Sequence, residues 1–519
     1  MEKRRDLIIA AVLSLAAVLV FGVLPYVFAA RTAAPQGVFG GFLINPIDGF
    51  SYLAKMRQGL QGSWLLQLPY APEPGQPAFL FVYHLFLGHA ARWLGLSLLT
   101  VYHTARALAA LAMFLVAFAF FRRLLPDRRA HWAAFLLALL GSGLGWLAQP
   151  LGVLSIDIWV TEAIPFLSAY ANAHFPLAAA ALLGGALLAW QQDMRWGWRV
   201  ACALLCGFVL GAVFPFGVGT LLAVVGVWLL WELLRAEDRR VWLLEQRGRL
   251  LGILALLAAA LPWLIYDLVI SRSHPVLAIW TAQNQTPSPP LLETLLGFGL
   301  VLVLAIVAVI LGKTHRSERG RLLICWVAVN LLLLYVPFSL QRRLSLGIFF
   351  PLAALAAMGL AALAPTRRRM IELLMLTLAF SIPTNLLVIG AGMWGAGLGD
   401  PALVVTDDEA AAFAWLASNA PGDSLVLAGA ENGNRLPAFA DVRVLYGHPF
   451  ETPHAEDELA TVDALYAGSE GDLGLLRSRG VDFVFYGPRE RELGDPAWLE
   501  TLGIVFQEGE VAIYQVGSP

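Results

Sequence analysis

The chain has 519 residues, 59% of them hydrophobic and only 14% charged, with a formal net charge of −2. Soluble domains carry about 25% charged residues, so a soluble globular enzyme is excluded, and the lack of a basic excess argues against a nucleic-acid partner. The composition, with a mean hydropathy of +0.70, is that of a polytopic α-helical membrane protein. Cys202, Cys206 and Cys325 all sit inside apolar runs and imply neither a disulfide framework nor a cysteine metal site.

Lys3-Arg4-Arg5 precede an apolar run at 7–29. It is too long for a signal-peptide core and lacks a convincing cleavage site, so it reads as a retained anchor. The next stretch, Asn45 to Gly59, reads as a short amphipathic helix. Asn45 is placed to cap it and Pro46 suits its first turn. Asp48, Tyr52 and Lys55 share one side, with Leu53, Met56 and Leu60 opposite. Such a helix would lie along the membrane surface and hold a carboxylate and two cations, Lys55 and Arg57, at the bilayer edge. Two simpler roles are also available. Asp48 stabilises a helix start, and Arg57 reads more naturally as snorkelling to lipid headgroups.

Apolar runs of roughly 17 to 25 residues count as spans, and about eleven occur: 7–29, 98–121, 132–153, 174–191, 199–214, 217–234, 250–270, 291–312, 321–339, 345–364 and 370–391. An odd count puts the two ends on opposite sides. The clusters Lys3-Arg4-Arg5, Arg122-Arg123 with Arg128-Arg129, Arg195 with Arg199, Arg235 to Arg249, Lys313 to Arg321 and Arg367-Arg368-Arg369 then share one face. That face is cytoplasmic, N-terminus included, by the positive-inside rule. Counting Pro77 to Leu94 as a twelfth span would break this pattern, so it reads as a re-entrant or juxtamembrane helix. It lies in a large first outer loop, 30–96, with a proline-rich turn at Leu68 to Gly75.

Two more outer loops, Ser155 to His174 and Ser271 to Pro290, are polar, and Arg342 and Arg343 lie outside against the positive-inside trend. The membrane region, 1–394, gives way at 395–519 to the composition of a small extracytoplasmic α/β domain. There Thr406-Asp407-Asp408-Glu409 is a capping box. Strands are expected at 424–428, 442–445 and 481–486, helices near 455–467 and 471–479, and a hairpin near 503–516.

The outer face thus collects Asp48, Asp157, Glu162, Arg342 and Arg343. A carboxylate can deprotonate an acceptor hydroxyl while guanidinium groups pair with a phosphate leaving group. This layout resembles the GT-C superfamily of integral membrane glycosyltransferases, which use polyprenyl-phosphate-linked sugars. The segment Pro77-Ala78-Phe79-Leu80-Phe81-Val82-Tyr83-His84 is similar to the KPPLFYWL-type stretch of its bacterial aminoarabinose and mannosyl transferases. The resemblance implies hexosyl or pentosyl transfer at a plasma or inner membrane, from a polyprenyl-phosphate-linked sugar to a glycan, lipid or protein acceptor. It implies Asp48 as general base or acceptor-positioning acid, Glu162 or Asp157 as the second-loop acid, and Arg342 with Arg343 as donor-phosphate contacts. This chain departs from the pattern in its lone acid, Ile47-Asp48-Gly49, and in having Gln76-Pro77-Ala78 for Lys-Pro-Pro.

Tyr52, Lys55, His84, His174, Gln283 and Asn284 are further substrate-binding candidates. Trp280, Gln283 and Asn284 form a patch suited to a sugar or lipid headgroup. Asp267 is expected to line the polar cavity or pair with Arg272. His448, Glu451 and His454 are spaced three apart, yet Pro449 and Pro453 break any helix that would align them, so no metal site is assigned. The stretch Gly429 to Asn434 lacks a phosphate-binding pattern. Carboxylates near a phosphate often recruit a divalent cation, but no loop has the ligand spacing to assign one. A transporter or flippase for a lipid-linked glycan would also need outer arginines, although it would spread polar residues through the midplane. The lone acid also fits a catalytically silent scaffold.

Overall fold

The computed structural model describes residues 2–517 other than 34, 36, 192, 193 and 469–471. Among the described residues, 8 helices are long and apolar enough to cross a bilayer: Arg4–Ala33, Leu98–Leu124, Trp196–Val213, Phe216–Arg235, Arg247–Ser273, Leu291–Ile310, Gln341–Leu363 and Arg367–Gly397. A pair bent by 45°, Arg128–Leu140 with Gly145–Leu151, raises the number to 9 if it makes one span. This is a multi-pass membrane protein. The two remaining expected spans form helices His174–Trp190 and Glu318–Leu333 of 17 and 16 residues, short of the roughly 20 that a straight crossing needs. Val82–Leu94, the segment withheld from the span count, is a helix of only 13 residues.

The chain divides into two compact units. The first comprises Met1–Pro25, His103–Ile265 and Thr286–Ala391, and the second Tyr26–Tyr102, Tyr266–Gln285 and Gly392–Pro519. The hub of the first unit is Phe349–Leu363, an alanine-rich helix buried from Phe349 to Ala357 and again at Gly359 and Leu360. Without a hydrophobic drive between helices in lipid, close approach depends on small residues. A Cβ on Gly359 would lie 2.0 Å from the Leu304 carbonyl oxygen, so helix Leu291–Ile310 can seat here only against glycine. That neighbour is itself kinked at Gly299, whose φ is +47°. Beside the kink the break of the bent pair is tied in, with the Leu144 amide donating to the Leu296 carbonyl at 2.9 Å.

The second unit is built on a mixed sheet. Ser424–Leu427 runs parallel to both Val442–Val444 and Phe483–Tyr486, and Val511–Gln515 joins antiparallel, followed by Gly503–Glu508. Apolar side chains cover both faces. The capping box at Thr406 and Glu409 forms as expected and starts helix Asp407–Asn419. Helix Ala430–Phe439 was not expected, because Pro437 lies inside it.

The first-loop helix is Pro46–Gln61, and it crosses Val82–Leu94 at two glycines. A Cβ on Gly59 would sit 2.1 Å from the Leu85 carbonyl oxygen, and one on Gly88 1.9 Å from that of Met56. Both sides of Pro46–Gln61 are covered, with Leu53, Met56 and Lys55 all buried. This corrects the expectation of a helix lying on the membrane surface by one apolar side. Asn45 also departs from its expected role, because it adopts a left-handed conformation (φ 49°) and its side chain makes no cap bond.

Candidate active site

Asp48 lies in the first turn of Pro46–Gln61, and its side chain is 45% exposed. Its Oδ1 stands 3.3 Å from Nε2 of His448, whose own side chain is 2% exposed. Two turns along the same helix, Lys55 is wholly buried. Its ammonium donates to both carboxylate oxygens of Glu451, at 2.7 and 2.8 Å, and to Ser51 Oγ. Ser51 in turn donates to Glu451 at 2.6 Å. Burial pushes the Glu451 carboxyl up, but the Lys55 charge and the hydrogen bonds from Lys55 and Ser51 act against it, and the group is held below its ordinary value. Phe81 closes the cluster from a left-handed backbone (φ 51°), with its ring 4.4 Å from the ammonium. Lys55, expected to meet substrate phosphate, is thus committed to an internal ion pair.

The side chains flanking this cluster are stacked. The rings of Tyr52 and His84 lie 4.7 Å apart at 11°. Gln283, an expected substrate contact, instead clasps backbone: its Nε2 donates to the Thr452 carbonyl and its Oε1 accepts from the His454 amide at 3.0 Å. Next to it Asn284 Oδ1, Trp280 Nε1 and Thr281 Oγ1 are buried with no hydrogen-bond partner among the described residues. Arg57 does not snorkel, since its Nε donates to the Ala438 carbonyl at 2.9 Å. It lines a cavity of about 360 Å³ with Val38, Phe413 and Phe439. Asp267 makes no ion pair with Arg272 among the described residues.

The second-loop acids belong to the first unit. Glu162, 2% exposed, lies 3.6 Å from Arg342 Nε, and the Arg342 guanidinium sits 4.9 Å from the Trp159 ring. Arg343 lies over Phe216 at 6.0 Å. Asp157 is a fastener: its Oδ2 accepts the amides of Gly143 and Gly145 at 3.0 Å each, and its Oδ1 accepts Ser155 Oγ at 2.5 Å. It pins the break in the bent helix pair. His174 is buried against Phe175, with ring centroids 4.1 Å apart.

Neither a scan against protein-family models nor a search of curated proteins gives a match. Solved structures do match. ArnT from Cupriavidus metallidurans bound to undecaprenyl phosphate aligns with a TM-score of 0.53 at 14% identity, over 98% of this chain and 97% of that one. The arabinofuranosyltransferase AftD from Mycobacteria aligns at 0.58 and 17% identity, and this chain, covered to 99%, spans 40% of its length. The Archaeoglobus fulgidus oligosaccharyltransferase tethered with an acceptor peptide aligns at 0.52 and 13% identity, over 93% of this chain and 68% of that one. The chain has a GT-C fold.

Within this fold the residues that sequence reasoning missed are His448 and Glu451. They were read only as a helical metal triplet and set aside for the prolines beside them. Those prolines bound the tight loop that carries both side chains to the first-loop helix. Among the described residues no group of three or more His, Cys, Asp or Glu is arranged to hold a metal ion.

Proposed function

We propose that this protein is a membrane glycosyltransferase that moves a hexosyl or pentosyl group from a polyprenyl-phosphate donor to a glycan, lipid or protein acceptor on the extracytoplasmic side. The observation that carries this reading is Asp48: a partly exposed carboxylate in contact with a buried histidine, at the head of a helix braced by a buried ion pair. The full-length likeness to ArnT, a structure of which holds undecaprenyl phosphate, supports a lipid-phosphate donor.

In the reaction, Asp48 takes the proton of the acceptor hydroxyl as that oxygen bonds to the anomeric carbon. The bond from that carbon to the phosphate oxygen breaks, and its electron pair leaves with the polyprenyl phosphate. Separately, and within the first unit alone, Arg342 and Arg343 are proposed as phosphate contacts, with Glu162 lying 3.6 Å from Arg342. The bent pair and helices His174–Trp190 and Glu318–Leu333, added to the long helices, make about eleven crossings. The arginine clusters then put the N-terminus in the cytoplasm and residues 395–519 outside, at a plasma or inner membrane.

The test is sugar transfer by the purified full chain in lipid, supplied with a panel of polyprenyl-phosphate sugars. Transfer by wild type supports the reading. Binding of the lipid without transfer from any donor contradicts it and favours a transporter or a silent scaffold.

A further inference from the structure

We infer that His448 is a positioning residue for Asp48, a fixed donor that orients the carboxylate and takes no part in relaying the acceptor's proton. The inference rests on the reading of Asp48 as the acceptor base. It begins with the tautomer. Nδ1 of His448 accepts the Phe450 amide at 3.1 Å, and a ring nitrogen that accepts an N–H cannot hold a proton of its own. The neutral ring therefore carries its proton on Nε2, the atom 3.3 Å from Asp48 Oδ1, and donates it there.

The loop around the ring is held at several points. Thr452 Oγ1 accepts the amides of Gly447 and His448, at 3.2 Å each. Gln283 clasps the Thr452 carbonyl and the His454 amide. Tyr70 packs against the ring at 5.9 Å, and Glu451 is locked to Lys55. Asp48 and Lys55 lie two turns apart on one face of Pro46–Gln61, so the loop grips that helix at two separated places. A single contact would let the carboxylate swing about χ1, whereas two fix the helix, the loop and the ring relative to one another.

The proton accounting limits His448 to orientation. When the acceptor's proton passes to Asp48, a second proton could enter the imidazole only at Nδ1, and only by breaking the bond from the Phe450 amide. His448 thus serves transfer without joining the proton's path.

The test compares His448→Phe, which keeps a ring and loses the donor, with His448→Gln, whose amide N–H replaces the Nε2 donor, alongside Asp48→Asn. All are full chains in lipid with a polyprenyl-phosphate sugar as donor. Misplacement of a catalytic group costs up to about 100-fold, so H448F should lose on the order of 10- to 100-fold in kcat, with the donor KM changed by less than about twofold. H448Q should recover most of that rate. Equal losses in H448F and H448Q would overturn the inference in favour of simple packing. Wild-type rates in H448F alone would remove the role of His448, whereas wild-type rates in D48N would remove the reading of Asp48 beneath it. Should H448F fail to fold, 15N spectra of histidine-labelled wild type decide, with the signal assigned by its loss in H448Q. The neutral Nε2–H form supports the inference, and the Nδ1–H form overturns it.

Discussion

Two acids that the sequence places alike, each in a polar stretch between apolar runs, have opposite surroundings. Asp157 is wholly buried, and its two oxygens are taken up by the amides of Gly143 and Gly145 and the hydroxyl of Ser155. The Asp48 side chain is 45% exposed and is met by the buried His448. A saturated, buried carboxylate fastens backbone. A partly exposed carboxylate at the head of a helix is placed within reach of a molecule arriving from solvent. The contrast extends to cations: Lys55 is consumed by Glu451 with no exposed surface, while Arg342 keeps 23% of its side chain exposed beside Glu162.

Stability measurements can break or sharpen this contrast. The largest loss is expected for Asp157→Ala, which strands two glycine amides and a serine hydroxyl at about 1–3 kcal/mol apiece. Denaturant unfolding in detergent would read it, and a near-wild-type midpoint would return Asp157 to the reactive acids. Lys55→Met should cost about 3–5 kcal/mol by leaving Glu451 buried and uncompensated. The double variant Lys55→Met with Glu451→Leu should regain most of that loss, and a double variant no more stable than the single one would show that the pair contributes more than mutual neutralisation.

Next in size is a pH effect. Burial pushes the Glu490 carboxyl up to about 7, against hydrogen bonds from Asn432 and the amides of Gly429 and Gly487. Its folded value lies above the unfolded one, so its stabilisation is complete at acid pH and is lost as pH rises from about 4.5 to about 7, a change of about 3 kcal/mol. Unfolding midpoints measured across that window should fall with pH in wild type and flatten in Glu490→Gln. Gln283→Ala, which loses two backbone hydrogen bonds, should cost about 1–2 kcal/mol. Asp48→Asn should cost least, under about 1 kcal/mol, because its charge merely complements a helix start.

Most of the long membrane helices were legible because apolar runs are local signals, and so was the capping box at Thr406. The expected span at 321–339 runs beyond helix Glu318–Leu333 because apolar residues continue past the helix end, whereas the expected span at 174–191 matches helix His174–Trp190 and is simply short. The supports of the candidate site were not legible. Lys55 and Glu451 stand 396 residues apart, and helical spacing rules see only three or four. A buried lysine demands an acid, but nothing local says which. The phrase Gly447-His448-Pro449-Phe450-Glu451-Thr452-Pro453 did contain a clue, because polar residues between two prolines outside any helix need a partner elsewhere in the fold. Helix Ala430–Phe439 was missed because Pro437 reads as a breaker, although buried packing of Leu436 and Ala438 holds it in place.

The most direct test of the account is the transfer rate of Asp48→Asn against wild type at equal folded yield, with donor binding measured on both. Loss of a general base predicts a fall of about 10²- to 10⁴-fold in rate with donor binding and unfolding midpoint kept. A variant that transfers sugar at the wild-type rate would contradict it, leaving Asp48 as a helix-start charge and sending the search for the base to Glu162.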